Sequence, residues 1–148
     1  MNDPVHHILD DKGRTVHTIS PGESVTAAVA EMNRQGVGAL VVVDGDRPVG
    51  IFTERDVLVR VVGEGVDAAK LTVREVMTPD LVTIRPTTTV TEAMMVVTER
   101  RCRHLPVLDG DGRLTGLISI GDLTRWTVRG QERRIEDLYD YITGAYPR

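Results

Sequence analysis

The chain has 148 residues, of which 41% are apolar and 3% aromatic, so it suits one compact domain with an aliphatic core. Its net charge of −4 argues against a general nucleic-acid binder, because such proteins rely on a basic surface. The single cysteine excludes an internal disulfide, and no apolar run is long enough for a signal peptide or a membrane span, which predicts a cytoplasmic protein without a membrane partner.

The first half of the chain predicts the order strand, helix, strand, strand, helix. Residues 15–19 are a short strand candidate, and Ser24 can cap a helix whose apolar positions recur at helical spacing. A β-branched run at 39–43 predicts a buried strand, and a turn leads from it to a paired strand at 48–52. A second helix is expected over 56–62.

The second half repeats this order. A strand is expected at 82–85, and a helix begins after Thr89, whose hydroxyl forms a capping box with the carboxylate of Glu92. Paired strands are expected at 105–108 and 114–118. Residues 122–127 are expected to form the beginning of the last helix of the repeat. A charged helix over 131–142 lies outside the repeat, and we expect it to pack on the module or on a partner.

A seven-residue motif occurs twice. Residues 50–56 and 116–122 both read glycine, two apolar residues, a hydroxyl residue, two variable residues and aspartate. The copies lie 66 residues apart, whereas Pro21 and Pro86 lie 65 apart, so one residue has been added between these points, most simply in the turn at 109–112. The repeat predicts two units that pack sheet to sheet as a pseudo-two-fold pair with a cleft between them.

Each motif places a hydroxyl and a carboxyl group where a strand ends and a helix begins. Thr53 and Asp56 are three residues apart, as are Ser119 and Asp122, so each pair lies on one side of the first helical turn. A carboxylate can accept both hydroxyls of a cis-diol such as ribose, and the leading glycine lets a ligand approach the backbone. The motifs are therefore candidate ribose sites.

The same pattern has a second interpretation. Ser/Thr-x-x-Asp before an apolar helix is itself a capping sequence, so one of the two copies can be purely structural. No metal site is predicted, because His6, His7 and His17 have no cysteine or carboxylate at ligand spacing.

Several features of the chain together resemble a tandem cystathionine β-synthase (CBS) domain pair, or Bateman module. These are the two motifs, the segments 103–107 and 141–144, and the similar sequences around Pro21 and Pro86. The resemblance covers residues 14–128 and is greatest to small stand-alone bacterial CBS-pair proteins. It implies an α+β fold built from two β-α-β-β-α repeats with a C-terminal helix. The expected divisions are an N-terminal segment at 1–13, repeats at 14–62 and 77–128, a connector at 63–76 and a helical tail at 129–148.

The resemblance implies a regulatory ligand of the adenosine type, namely AMP, ADP, ATP, NAD or, in some members, S-adenosylmethionine. It implies ribose binding by the two aspartates with their hydroxyl partners, and phosphate binding by a basic pair across the cleft. The implied ligand-binding residues are Thr18, Ile19, Val37, Gly38, Ala39, Thr53, Arg55, Asp56, Thr83, Ile84, Arg103, His104, Pro106, Ser119 and Asp122.

The two copies differ at one point. Gly38-Ala39 of the first repeat corresponds to Arg103-His104 of the second, so only the second repeat offers a phosphate-binding pair, which would serve the ligand held by Asp56. The expected function is a non-catalytic sensor of adenine nucleotides, with no catalytic residues and an unidentified downstream protein. The alternatives are a ligand-free dimerisation scaffold or an S-adenosylmethionine sensor. The apolar helix after Asp56 favours a homodimer, with burial of this helix inside one chain as the alternative.

Overall fold

The computed structural model describes residues 2–144. Its elements are, in order, α1 (His6–Lys12), β1 (Thr18–Ile19), α2 (Val25–Gln35), β2 (Ala39–Asp44), β3 (Arg47–Thr53), α3 (Glu54–Asp56) continued by a π-helix (Val57–Val62), a 3-10 turn (Ala68–Lys70), α4 (Val73–Val76), α5 (Val90–Arg100), β4 (His104–Leu108), β5 (Leu114–Ser119) and α6 (Ile120–Thr143).

Each repeat has its own small sheet. In the first, β1 runs parallel to β2, and β2 pairs antiparallel with β3. In the second, β4 and β5 form an antiparallel pair. The expected strand at 82–85 is reduced to one parallel bridge from Ile84 to Val107, because only the backbone of Ile84 bonds to β4. The strand expected at 15–19 likewise contains only Thr18 and Ile19, the residues that pair with β2.

The strand registers confirm where the extra residue lies. Val42 pairs with Gly50 as Val107 pairs with Gly116, and both ladders shift register at the next residue. Beyond this shift Val43 pairs with Pro48, whereas Leu108 pairs with Leu114 across a turn that is one residue longer.

The predicted caps form as expected. Ser24 Oγ accepts a hydrogen bond from the Ala27 amide at 3.0 Å, and Gly36 ends α2 in the left-handed conformation. Thr89 and Glu92 form the predicted capping box at the start of α5. The mixed helix and strand fold, with two repeats and a C-terminal helix, is confirmed.

The C-terminal helix is longer than expected. The last helix of the second repeat and the charged helix at 131–142 are one continuous α6, because Gly130 costs a helix only about 1 kcal/mol and does not end it. Residues 145–148 of the predicted tail lie outside the described residues. Within residues 2–144, no helix combines the length and apolarity that a membrane span needs.

Two short helices outside the expected repeats complete the two cores. Helix α1 contributes Val5, its N-cap, and Leu9 to the buried cluster of the second repeat, and α4 contributes Val73 to that of the first. The two helices dock alike, since the Val5 amide donates to Thr88 O and the Val73 amide donates to Glu23 O, both at 2.8 Å. Each repeat therefore depends on a segment that the repeat pattern did not include.

The motif glycines make room for these helices. A Cβ added to Gly116 would lie 2.6 Å from Cδ2 of Leu9, and one added to Gly50 would lie 2.8 Å from Sδ of Met77. The expectation that these glycines let a ligand approach the backbone is corrected, because side chains from α1 and from the residue after α4 occupy the space beside them.

We expect Gly116→Ala to lower the free energy of unfolding by about 1–3 kcal/mol through overpacking, and Leu9→Ala to lower it by about 2–5 kcal/mol through a cavity. In the double variant the new methyl group enters the vacated space, so the combined loss should be smaller than the sum. Urea unfolding of the four proteins measures this coupling.

Gly110→Ala serves as a control, because no heavy atom lies within 4 Å of the Cβ position at this exposed turn. Strictly additive losses would contradict the proposed contact between Leu9 and Gly116.

Candidate functional site

Asp56 is buried at the junction of β3 and α3, with 5% of its surface exposed. Its Oδ2 accepts a hydrogen bond from the Thr53 amide at 3.0 Å, and its own amide donates to Thr53 Oγ1 at 3.4 Å. Its Oδ1 accepts from the Thr78 hydroxyl at 3.2 Å, and Nε of Arg60 lies 3.9 Å away. The Asp56 carboxylate is therefore held mainly by neutral donors.

Asp122 occupies the same position in the second repeat and is 7% exposed. Its Oδ2 accepts from the Ser119 amide at 2.8 Å and from Lys12 Nζ at 2.7 Å, and its Oδ1 accepts from Arg125 Nη2 at 2.7 Å. Lys12 also donates to the Leu117 carbonyl at 2.9 Å. Two cations therefore neutralise this carboxylate, one on each oxygen.

These contacts determine the charge state of Asp122. Burial raises the pKa of its carboxyl group, but hydrogen bonds from Lys12 and from the Ser119 amide outweigh that effect, so the pKa lies below its ordinary value of 3.8. Asp122 is consequently ionised at neutral pH and forms a salt bridge between α1 and α6.

Both motifs are capping boxes. The hydroxyl of Thr53 or Ser119 accepts from the aspartate amide, and the aspartate accepts from the amide of the hydroxyl residue. The capping interpretation of the sequence is thus correct for both copies. The cap leaves acceptor sites on both carboxylates, because each carboxylate has about four lone-pair sites and the cap occupies one of them.

The basic pair lies where the sequence comparison of the repeats placed it. His104 opens β4 opposite Ser119, and the Ile120 amide donates to Arg103 O, as the Glu54 amide donates to Gly38 O in the first repeat. Burial, followed by the charge of Arg103, lowers the pKa of His104 below 6.5, while the carboxylates of Asp122 and Glu54 act in the opposite direction. The carboxylates that raise the pKa of His104 therefore come from both repeats.

Two candidate phosphate ligands are unpaired. The side chains of Arg55 and Arg103 are exposed, and neither forms an ion pair or a hydrogen bond with any other residue in the range 2–144. Glu54 limits the space on the first-repeat side, since its carboxyl carbon lies 3.2 Å from the Cβ position of Gly38. The free cations near the motifs are thus one arginine from each repeat.

The remaining candidates line the strands around the motifs. Thr18 and Thr83 are exposed, Ile19 and Val37 are half-buried, and the rest are buried. Ala39 pairs with Thr53 across β2 and β3, and the Ile84 amide donates to Pro106 O at 3.0 Å. Thr18, Ile19 and Ala39 lie in the sheet that carries the first motif, and Pro106 pairs with Leu117 of the second motif. The placement of Val37 and Thr83 at a ligand site stays a prediction.

Sequence reasoning missed four residues that contact the aspartates, namely Lys12, Arg60, Thr78 and Arg125. The spacing of Arg125, three residues after Asp122 on a helix, is a signal that predicts contact. Lys12 and Thr78 reach the motifs from distant segments, and only the docking of those segments reveals them.

No other arrangement among the described residues competes as a site for chemistry. A surface groove between α5 and α6 contains no motif residue, and its lining is mostly threonine and methionine. No group of three or more histidine, cysteine, aspartate or glutamate side chains within 2–144 could hold a metal ion.

Comparison with known proteins agrees with this arrangement. The sequence profile of the CBS domain matches residues 2–63 and 73–129, which include both capping boxes and the two docked helices. The chain belongs to the CBS-domain family. The match occurs twice, so this protein carries a tandem CBS pair.

Its relatives include proteins in which a CBS pair stands alone. The mitochondrial CBS domain-containing protein CBSX3 of Arabidopsis thaliana is 38% identical over 84% of this chain, which spans 62% of that relative. A structure of a protein with CBS domains from Burkholderia ambifaria is 43% identical, with a TM-score of 0.82 over 87% of this chain and 96% of that one. CBSX2 in complex with AMP is 26% identical, with a TM-score of 0.67 over 79% and 90% of the two chains.

The lowered pKa of Asp122 predicts a pH-dependent contribution to stability. A carboxyl group with a lowered pKa in the folded state stabilises the protein above its unfolded value of 3.8, and this stabilisation is lost as the pH falls through the folded value. Asp122→Asn should therefore lower the free energy of unfolding by about 1.5–3 kcal/mol at pH 7, and the difference from wild type should close below pH 3.8.

Urea unfolding between pH 7 and pH 3 tests this expectation. Asp111→Asn on the exposed β4–β5 turn is the matched control and should change little at any pH. A deficit of Asp122→Asn that does not shrink as the pH falls would show that the salt bridge is not its source.

Proposed function

We propose that this CBS pair is a regulatory module that binds an adenine nucleotide and catalyses no reaction. The observation that carries the proposal is the state of Asp56, a buried carboxylate held mainly by neutral hydroxyl and amide donors, with Nε of Arg60 3.9 Å away. The AMP complex of CBSX2 supports adenine nucleotides as the ligand class.

Asp56 and Thr53 are the proposed ribose site. The cap leaves acceptor capacity on the Asp56 carboxylate, and the Thr78 hydroxyl at 3.2 Å can rotate away when a ribose hydroxyl takes its place. Hydrogen bonds to a charged acceptor contribute about 1.5–3 kcal/mol each, enough to make the loss of Asp56 measurable.

Arg103, His104 and Arg55 are the proposed phosphate site. The side chains of Arg103 and Arg55 are exposed and form no ion pair or hydrogen bond within the described chain, so both guanidinium groups are available to a phosphate. A phosphate beside His104 would favour its protonated form, against the burial that now lowers its pKa. We propose that the strand residues beside the motifs, including Ile19, Ile84 and Val37, contact the adenine ring.

The second motif is the weaker candidate. A ribose reaching Asp122 must displace Lys12 or Arg125, each of which lies 2.7 Å from a carboxylate oxygen. Displacement breaks one charge-assisted hydrogen bond and forms another of similar strength, so the net gain in binding free energy is small. We propose one nucleotide per chain, bound at Asp56.

We propose no catalytic role for Cys102, the single cysteine of the chain. Burial raises the pKa of the Cys102 thiol, which disfavours the reactive thiolate. A ligand held by Asp56 in one repeat and Arg103 in the other would fix the relative position of the two repeats. The signal is then a change in conformation that a separate protein reads.

A homodimer is part of the proposal. Leu58, Val59 and Val62 on the π-helical continuation of α3 are more than half exposed, whereas Val61 on the same helix is buried in the first core. Three adjacent exposed aliphatic side chains favour a second subunit over solvent.

A ligand-free scaffold is the second candidate function. The observation in its favour is that both aspartates already have partners within the chain, so neither requires a ligand for satisfaction. Binding experiments with AMP, ADP, ATP, NAD and S-adenosylmethionine distinguish the two candidates, because a scaffold binds none of them.

We expect Asp56→Asn to weaken AMP binding about 10- to 100-fold, since it removes the charged ribose acceptor while keeping its size. Asp122→Asn should weaken binding less than about 3-fold, because Lys12 and Arg125 already occupy that carboxylate. Isothermal titration calorimetry of wild type should give one AMP per chain.

Asp111→Asn again provides the control with an unchanged affinity. Greater loss from Asp122→Asn than from Asp56→Asn would refute the assignment of the site to Asp56, and absence of heat with every adenosine compound would favour the scaffold.

We expect Arg103→Ala and His104→Gln to remove the preference for AMP over adenosine. Loss of one charge-assisted phosphate contact lowers AMP affinity about 10-fold, while adenosine, which has no phosphate, should bind as before. Arg100→Ala at the exposed end of α5 is the matched control and should leave both affinities unchanged. Equal weakening of AMP and adenosine would place these residues outside the phosphate site.

A further inference from the structure

The last part of α6 extends beyond the two repeats. Near its start α6 is held to the N-terminal segment, because Trp126 Nε1 donates to Asp3 at 3.2 Å and Arg129 pairs with Asp11 at 3.7 Å. All side chains from 128 to 139 are exposed, and so are those from 141 to 143. We call residues 128–143 the tail.

The tail carries an apolar stripe with coiled-coil spacing. Val128, Ile135, Leu138 and Ile142, together with Gln131, follow one another at intervals of three and four residues, which places them on one face. Ile135, Leu138 and Ile142 are between 60% and 72% exposed. A helix with this stripe packs against another helix.

The tail is not built to be stable alone. A helix of about this length is marginal in water without tertiary packing. Its acidic residues also lie at the wrong end, since the last turn of α6 contains no basic residue to complement the negative end of the helix dipole. A partner that supplies positive charge would complement this end.

The tail itself has that charge at its other end. Residues 129–134 contain three arginines and one glutamate, whereas residues 136–140 contain two aspartates and one glutamate and no cation. Two tails placed antiparallel bring the basic half of each beside the acidic half of the other. Two parallel tails would set like charges together.

We propose that the tail is a self-pairing element, which binds the tail of a second copy of this chain in an antiparallel helix pair. In this register Ile135 packs on the partner's Leu138, and Gln131 lies beside the partner's Ile142. The pairing covers the apolar stripe and complements the acidic C-terminal end. It is separate from the exposed aliphatic patch on the π-helix and links the signal of one CBS pair to a second one.

Light scattering on the full-length chain tests the pairing. The double variant Ile135→Ser/Leu138→Ser removes the centre of the stripe at exposed positions, so the repeats should remain folded. We expect its molar mass to be about half that of wild type, because one two-fold contact is lost. Wild type and variant are compared in a Leu58→Ser/Val62→Ser background, so that a contact through the π-helix patch cannot hold the same two chains together when the tails separate.

The matched control is Asp111→Ser/Arg113→Ser. These exposed residues lie on the β4–β5 turn, outside the tail, and the double change removes one charge of each sign. Its mass should equal that of wild type. Equal masses for wild type and Ile135→Ser/Leu138→Ser would overturn the proposal. A tail that binds a different protein would also give this result, because the tails of two copies would then not pair.

Disulfide trapping tests the orientation. In a Cys102→Ser background, chains with Ile135→Cys and differently tagged chains with Leu138→Cys are mixed and oxidised. An antiparallel pair predicts mainly the mixed disulfide between the two chains. A parallel pair would give each chain linked to its own kind, which would overturn the antiparallel arrangement.

Discussion

The docking of a helix onto a strand position without a side chain is the contact on which this molecule depends. Gly50 receives Met77 from the segment after the first repeat, and Gly116 receives Leu9 from the beginning of the chain. The first repeat is thus completed locally, whereas the second is completed only when the two ends of the module meet. This long-range closure joins the two repeats into one folding unit, since neither core is complete without its added helix.

The same docking makes the two motifs electrostatically different. Helix α1 ends in Lys12, which reaches Asp122, while the segment after α4 brings the neutral hydroxyl of Thr78 to Asp56. The asymmetry of the motifs therefore comes from the segments that cover them as well as from Arg103 and His104. Of the two carboxylates, only that of Asp122 accepts close charge-assisted bonds from two cations of the described chain, which is why the ribose is proposed at Asp56.

Helix capping and ligand binding use the same atoms in this fold. The aspartate oxygen that accepts the backbone amide fixes the carboxylate at the helix start, and the other oxygen faces Thr78 in one repeat and Arg125 in the other. A cap that holds its carboxylate rigid lowers the cost of ordering it for a ligand. The pattern Thr/Ser-x-x-Asp cannot separate the two roles, because both need the same residues at the same spacing.

The sequence by itself determined the features that depend on residues a few positions apart, because periodicity, turn residues and capping act over such distances. These features are the repeat, the order of its strands and helices, the caps of α2 and α5, and the place of the inserted residue. The sequence by itself did not predict that the strand at 82–85 is reduced to a single bridge, nor how long α6 is. It also did not predict that Gly50 and Gly116 make room for side chains of other segments. Tertiary structure alone brought Lys12 to Asp122 and Thr78 to Asp56, since these contacts join segments whose separation along the chain carries no pattern. Local spacing therefore determined the two candidate sites and the pair of Asp122 with Arg125, and long-range packing added Lys12 to Asp122 and Thr78 to Asp56.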